Sequence, residues 1–109
     1  MPQTHQFHLL RKDAHAAREA SEILKAMAHP LRLQIVAILA EDETHVNAMA
    51  KELGMGQAVI SQQLRILRMR KLVTSSRRDG FSVYRLNEPH LLTMLNCING
   101  WLQENGGTA

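Results

Sequence analysis

The chain has 109 residues, 45% of them hydrophobic and 21% charged, with a formal net charge of +3 and an isoelectric point near 9.5. That length supports one domain, with a modest core unless a second chain enlarges it. A single cysteine, Cys97, excludes a disulfide within the chain and fits a reducing cytoplasm, and His5, His8, Arg11, Lys12 and Asp13 break the N-terminus too often for a signal peptide or membrane span.

Met1 to His8 read as loose, and residues 1–12 are expected as a flexible N-terminal tail. Asp13 is a residue type that accepts backbone N–H groups at a helix start. It precedes an alanine-rich run with Ile23, Leu24 and Met27 apolar, so a helix is expected to about Met27. His29-Pro30 ends that helix, because the residue before proline avoids the helical region while proline suits the first turn of the next. The second helix, Pro30 to Leu39, carries Leu31, Ile35, Ile38 and Leu39 and must be core. The acidic run Glu41-Asp42-Glu43 marks a loop. A third helix spans Val46 to Leu53 and ends at Gly54, a natural C-cap. A fourth runs from Gln57 to Arg70. Leu72–Ser76 and Ser82–Leu86 read as strands around Arg77-Arg78-Asp79-Gly80, where Asp-Gly supplies the hairpin turn. Pro89 starts a last helix to about Gln103, with Leu91, Leu95, Ile98 and Leu102 spaced three and four apart. Residues 105–109 are small and polar and are expected to fray.

The pattern is mainly α with a small β-hairpin: a winged helix-turn-helix over residues 13–104, extended by helices at both ends. Its functional weight lies between Val46 and Arg85. Ala50, Gly54 and Ile60 stand where a helix-turn-helix needs a small residue at the crossing, a turn glycine, and an apolar anchor under the second helix. At about 100° per residue, Ile60, Leu64 and Leu67 share one face of the fourth helix. Gln57, Ala58, Ser61, Gln62, Arg65 and Arg68 fall together on the other. Amide, hydroxyl and guanidinium groups are what base edges and phosphates bind. Between Gly54 and Leu86, seven basic residues, Arg77 and Arg78 among them, stand against the single acid Asp79, while the remainder of the chain is net negative. A basic block confined to the reading surface is an electrostatic footprint for phosphate.

Nothing in the sequence suggests an enzyme. No nucleophile is spaced from a base, and there is no glycine-rich phosphate loop, dense metal cluster or cofactor motif. The reading from another class is a winged helix used for protein contact; steep salt dependence of binding separates the two. The first and last helices are apolar over more surface than so short a chain can cover. Two copies packing these helices together would bury those stripes and present two reading helices about one DNA turn apart.

The segment Leu24-Lys25-Ala26-Met27-Ala28-His29-Pro30-Leu31-Arg32-Leu33 resembles the hallmark of the ArsR/SmtB family of bacterial winged-helix repressors. So do Gln57-Ala58-Val59-Ile60-Ser61-Gln62-Gln63-Leu64, then Leu67-Arg68 and Leu72-Val73, and the similarity spans about residues 20–103. The resemblance implies a homodimer on double-stranded DNA, bound to an inverted-repeat operator near a promoter and released by an inducer. It places Gln57, Ala58, Ser61 and Gln62 at the major groove, and Arg77 and Arg78 at the minor groove or its phosphates. The family usually has serine where Gly56 stands. Its thiol site matches His45 and Asn47 here, which excludes soft-metalloid binding there. Its last-helix metal site is degenerate: Glu88 and His90 match the first pair, Trp101 replaces the third ligand, and Glu104 fits the fourth. Completing it would require the tail histidines His5, His8 or His15. Cys97 reads either as a small buried hydrophobe or as a redox switch, through oxidation or a bond to its symmetry mate. The inducer therefore stays open between a metal ion, a redox signal and no ligand at all.

Overall fold

The computed structural model of the protein describes residues 6–106. Asp13 acts as its chemistry predicts: its Oδ1 accepts the N–H groups of His15 and Ala16 at 2.9 and 3.1 Å. Before it, where the sequence suggests an uninterrupted tail, His8–Lys12 forms a short helix, α1. The N–H groups of Arg11 and Asp13 close onto the carbonyls of Phe7 and Leu9, and every residue of α1 is exposed. The expected tail residue His5 lies outside the described residues.

From Asp13 the chain continues as α2 (Ala14–Met27), then α3 (Pro30–Glu41), with the break at His29-Pro30. The His29 ring itself caps α3, its Nδ1 accepting the N–H of Leu31 at 3.1 Å. Thr44–His45 forms a two-residue strand, β1, that the sequence did not announce. It is followed by α4 (Val46–Leu53), α5 (Gln57–Met69), β2 (Val73–Arg78), β3 (Phe81–Leu86) and α6 (Pro89–Glu104). The sheet is antiparallel in the order β1-β3-β2, with Thr44 opposite Tyr84 and Val73 opposite Leu86. β1 therefore fastens the β3 side of the hairpin to the helical body.

The core gathers Met27 of α2, Leu31, Ile35, Val36 and Leu39 of α3, Met49 of α4, Ile60, Leu64 and Leu67 of α5, and Leu91 of α6. At roughly 1.5–3 kcal/mol for each large side chain removed from water, the three α5 residues alone contribute several kcal/mol to fixing that helix. This is the winged helix-turn-helix arrangement: α4 and α5 lie over α3, and β2 and β3 form the wing.

Candidate nucleic-acid interface

The helix-turn-helix is built from the caps inward. The His45 Nδ1 accepts the N–H of Ala48 at 3.3 Å and starts α4. Gly54 ends it with φ +64°, a conformation that costs glycine little, and Met55 N–H bonds back to the Ala50 carbonyl at 3.0 Å. α5 begins at Gly56, which supplies no side-chain cap. The N–H of Val59 closes onto the Gly56 carbonyl at 3.1 Å instead.

Ile60, Leu64 and Leu67 are fully buried beneath α5, while Gln57, Ala58, Ser61, Gln62, Arg65 and Arg68 are all exposed. The division between faces is the one the helical period predicts. Met55 and Val59 also reach solvent beside them, adding apolar surface of the kind that contacts thymine methyls.

The wing differs from expectation in its length. Its strands run to Arg78 and resume at Phe81, so the turn holds just Asp79 and Gly80, at φ +51° and +84°. Two positive φ values in succession give the tight turn whose twist matches the strands it joins. Arg77 and Arg78 thus lie on a strand, opposite Ser82 and Phe81, and as consecutive strand residues they point to opposite faces. Arg77 is exposed. Arg78 forms an ion pair with Glu43 in the loop between α3 and β1. Beside it the His45 ring stacks on Phe81, with centroids 5.7 Å apart. The wing is thereby held at its tip as well as its base. Glu43, His45 and Phe81 thus brace the wing, a part that their places in the sequence do not announce. The acidic run reads as a solvated loop, and a two-residue strand is too short to show alternation.

The C-terminal end of α5 is also tied to α2. Glu22 accepts from Arg70 at 2.9 Å and lies 3.3 Å from Lys25. The hydrogen bond and charge of Lys25, then the charge of Arg70, hold the Glu22 carboxyl below its ordinary range.

The other candidate groups lie on α6 and at its start. Glu88 caps α6, its Oε1 accepting the backbone N–H of His90 at 3.0 Å and meeting the His90 ring at 2.7 Å. Those bonds, the backbone one foremost, lower the Glu88 pKa. The two groups that resemble half a metal site are thus turned on each other. Among the described residues no three histidine, cysteine or acidic side chains gather where one ion could be held. Cys97 is exposed on this chain rather than buried, because α6 keeps its outer face open to solvent. On that face and the α2 stripe, Leu24, Leu92, Ile98, Trp101 and Leu102 are exposed, Trp101 at 62%. Leu33 and Ala37 of α3 with Leu92, Leu95, Ile98 and Leu102 of α6 line an apolar groove of about 370 Å³.

Comparison with known proteins bears on the same surfaces. A model of the arsR family of bacterial regulatory proteins matches residues 29–75, from the cap of α3 into β2. The biofilm growth-associated repressor of Xylella fastidiosa is 35% identical over 92 residues, covering 84% of this chain and 81% of that protein. Among solved structures, the transcriptional regulator HlyU from Vibrio vulnificus matches with a TM-score of 0.74 at 30% identity, over 84% of this chain and 95% of its own. A homodimeric winged helix-turn-helix DNA-binding domain from Mycobacterium bovis matches with a TM-score of 0.74 at 28% identity, over 85% of this chain and 88% of its own.

Proposed function

The chain belongs to the arsR family of bacterial regulatory proteins and is a DNA-binding transcriptional regulator, not an enzyme; on that premise we propose that it is a homodimeric repressor of the cytoplasm whose α5 helices read the two halves of an inverted-repeat operator. The observation that carries this reading is the division of α5. Its apolar face is fully buried, and an unbroken exposed face presents Gln57, Ala58, Ser61, Gln62 and Arg65. In this reading Gln57 and Gln62 contact base edges, Ser61 and Arg65 contact edges or phosphate, and Ala58 allows close approach. Arg77 supplies the wing's contact with the backbone. Arg78 takes a lesser share, since Glu43 already engages it.

The working unit runs from residue 13 to 104, with the α2 and α6 stripes covered by the second copy. The exposed apolar groups on those helices support that assignment, as does the homodimeric state of the Mycobacterium bovis domain. A dimer of this kind reads half-sites about one helical turn apart. Repression ends when a small inducer or chemical signal weakens the complex. The use of winged helices for protein contact is not favoured for a chain of this family.

Purified protein titrated against duplexes selected from a random-sequence library tests the reading. It should enrich a two-fold symmetric sequence, bind it as a dimer, and lose affinity steeply as salt rises through counterion release. Indifference to every duplex at low ionic strength would refute it. Repeating the titration with zinc, nickel, peroxide and polysulfide in turn identifies the releasing signal.

A further inference from the structure

Pro30 starts α3 but deprives α2 of a donor. The Ala26 carbonyl would ordinarily accept the N–H four residues on, and that residue is Pro30, which has none. Ala26 is only 6% exposed, so its carbonyl needs a partner from the protein. Arg32 provides one. Its Nε donates to the Ala26 carbonyl at 2.5 Å, and its Nη2 lies 3.5 Å from the carbonyl of Lys25. The third arm of the same guanidinium leaves α2 altogether: Nη1 donates to the Gln63 Oε1 at 2.9 Å. Arg32 and Gln63 are both half-buried.

Gln63 lies on α5 between exposed Gln62 and fully buried Leu64. Its amide therefore occupies the seam between the reading face and the core face. We propose that Arg32 is a positioning residue for DNA reading, clasping the end of α2 to α5 through Gln63 and fixing the rotation of α5 about its own axis. This rests on the DNA reading proposed above. Apolar packing beneath α5 sets its distance from the body but tolerates rotation, because contacts between aliphatic side chains are not directional. A hydrogen bond to a rigid planar fork is directional, and lysine cannot reproduce three arms in one plane. Base-edge contacts fail when side chains move more than about 0.5 Å from their working geometry. The second tie between these helices, Glu22 to Arg70, is exposed and at the far end of α5, where water and salt weaken its restraint.

The test compares the parent chain with Gln63→Met, Arg32→Lys and the double variant. Gln63→Met keeps the volume and removes the acceptor; Arg32→Lys keeps the charge and removes the fork. For each, affinities for the selected operator and a scrambled duplex are measured across a salt series, with a thermal melt. We expect each single variant to lose about tenfold in preference for operator over scrambled DNA, and the double variant to lose no more than the worse single one. Affinity for scrambled DNA and the salt slope should hold, since no phosphate contact is removed. Full operator preference in Gln63→Met, or losses that multiply in the double variant, would overturn the positioning role. Should Arg32→Lys fail to fold, Gln63→Met decides on its own. A parent chain that binds no duplex overturns the DNA reading itself, whereas a discriminating parent with equally discriminating variants removes only the clasp.

Discussion

α5 and α6 are both amphipathic, and the chain treats them in opposite ways. Ile60, Leu64 and Leu67 of α5 are fully buried under a polar face open to solvent. α6 buries Leu91, half-covers Met94 and Leu95, and leaves Ile98, Trp101 and Leu102 substantially exposed. The reading half is finished within one chain, and the terminal half is not. Helical periodicity determines which residues share a face. Whether that face is covered depends on how much protein lies opposite it, and among the described residues too little lies opposite Ile98, Trp101 and Leu102 to cover them.

The strongest way to break this contrast is Ile98→Asp. Placing a carboxylate on the stripe assigned to the second copy should cost about 3 kcal/mol or more per dimer, from lost apolar burial and the penalty for a buried charge. Light scattering should report monomers with an intact far-UV spectrum, and a variant that stays dimeric would remove α6 from the interface. Gln57→Ala and Gln62→Ala probe the finished half. Each should cost roughly 1–3 kcal/mol of operator affinity by fluorescence anisotropy and leave dimerisation untouched. The wing gives a smaller, graded effect. Arg77→Ala should lower the salt slope by about one and weaken binding to all sequences alike, while Arg78→Ala should change the slope less because Glu43 already holds that side chain. Equal slopes for the two variants would mean that the ion pair opens on DNA. Least of all, Gly56→Ser should stabilise the fold by a few tenths of a kcal/mol in a thermal melt, by supplying the missing cap of α5. The backbone at Gly56 has an ordinary extended conformation, and an added Cβ meets nothing within 4 Å.

Most of the helical scaffold was legible in the sequence because it rests on local rules: the Asp13 cap, the His29-Pro30 break, the Gly54 terminus and the spacing of Ile60, Leu64 and Leu67. The exposed residues of α5 follow from the same spacing. What escaped was non-local or too short to show a period. β1 exists because two residues find partners in β3, nearly forty positions later. Glu43 and Arg78 are likewise far apart in the chain, and nothing near either announces the other. The same holds for Arg32 and Gln63, which an orphaned carbonyl brings together. Cys97 shows a different limit: an apolar helix is compatible with a buried or a reactive thiol, and the side chain is exposed because α6 leaves that face uncovered.

The two-residue turn at Asp79-Gly80 makes the wing a matter of parity. With both turn residues at positive φ and the strands in strict register, adding one residue to each strand between the base of the wing and the arginines would turn Arg77 and Arg78 each to the opposite face. The guanidinium now tethered to Glu43 would swing outward, and the one that projects freely would fold back against the body. Two residues added to each strand would keep each arginine on its present face, while one added to each would rewire which cation reaches Glu43.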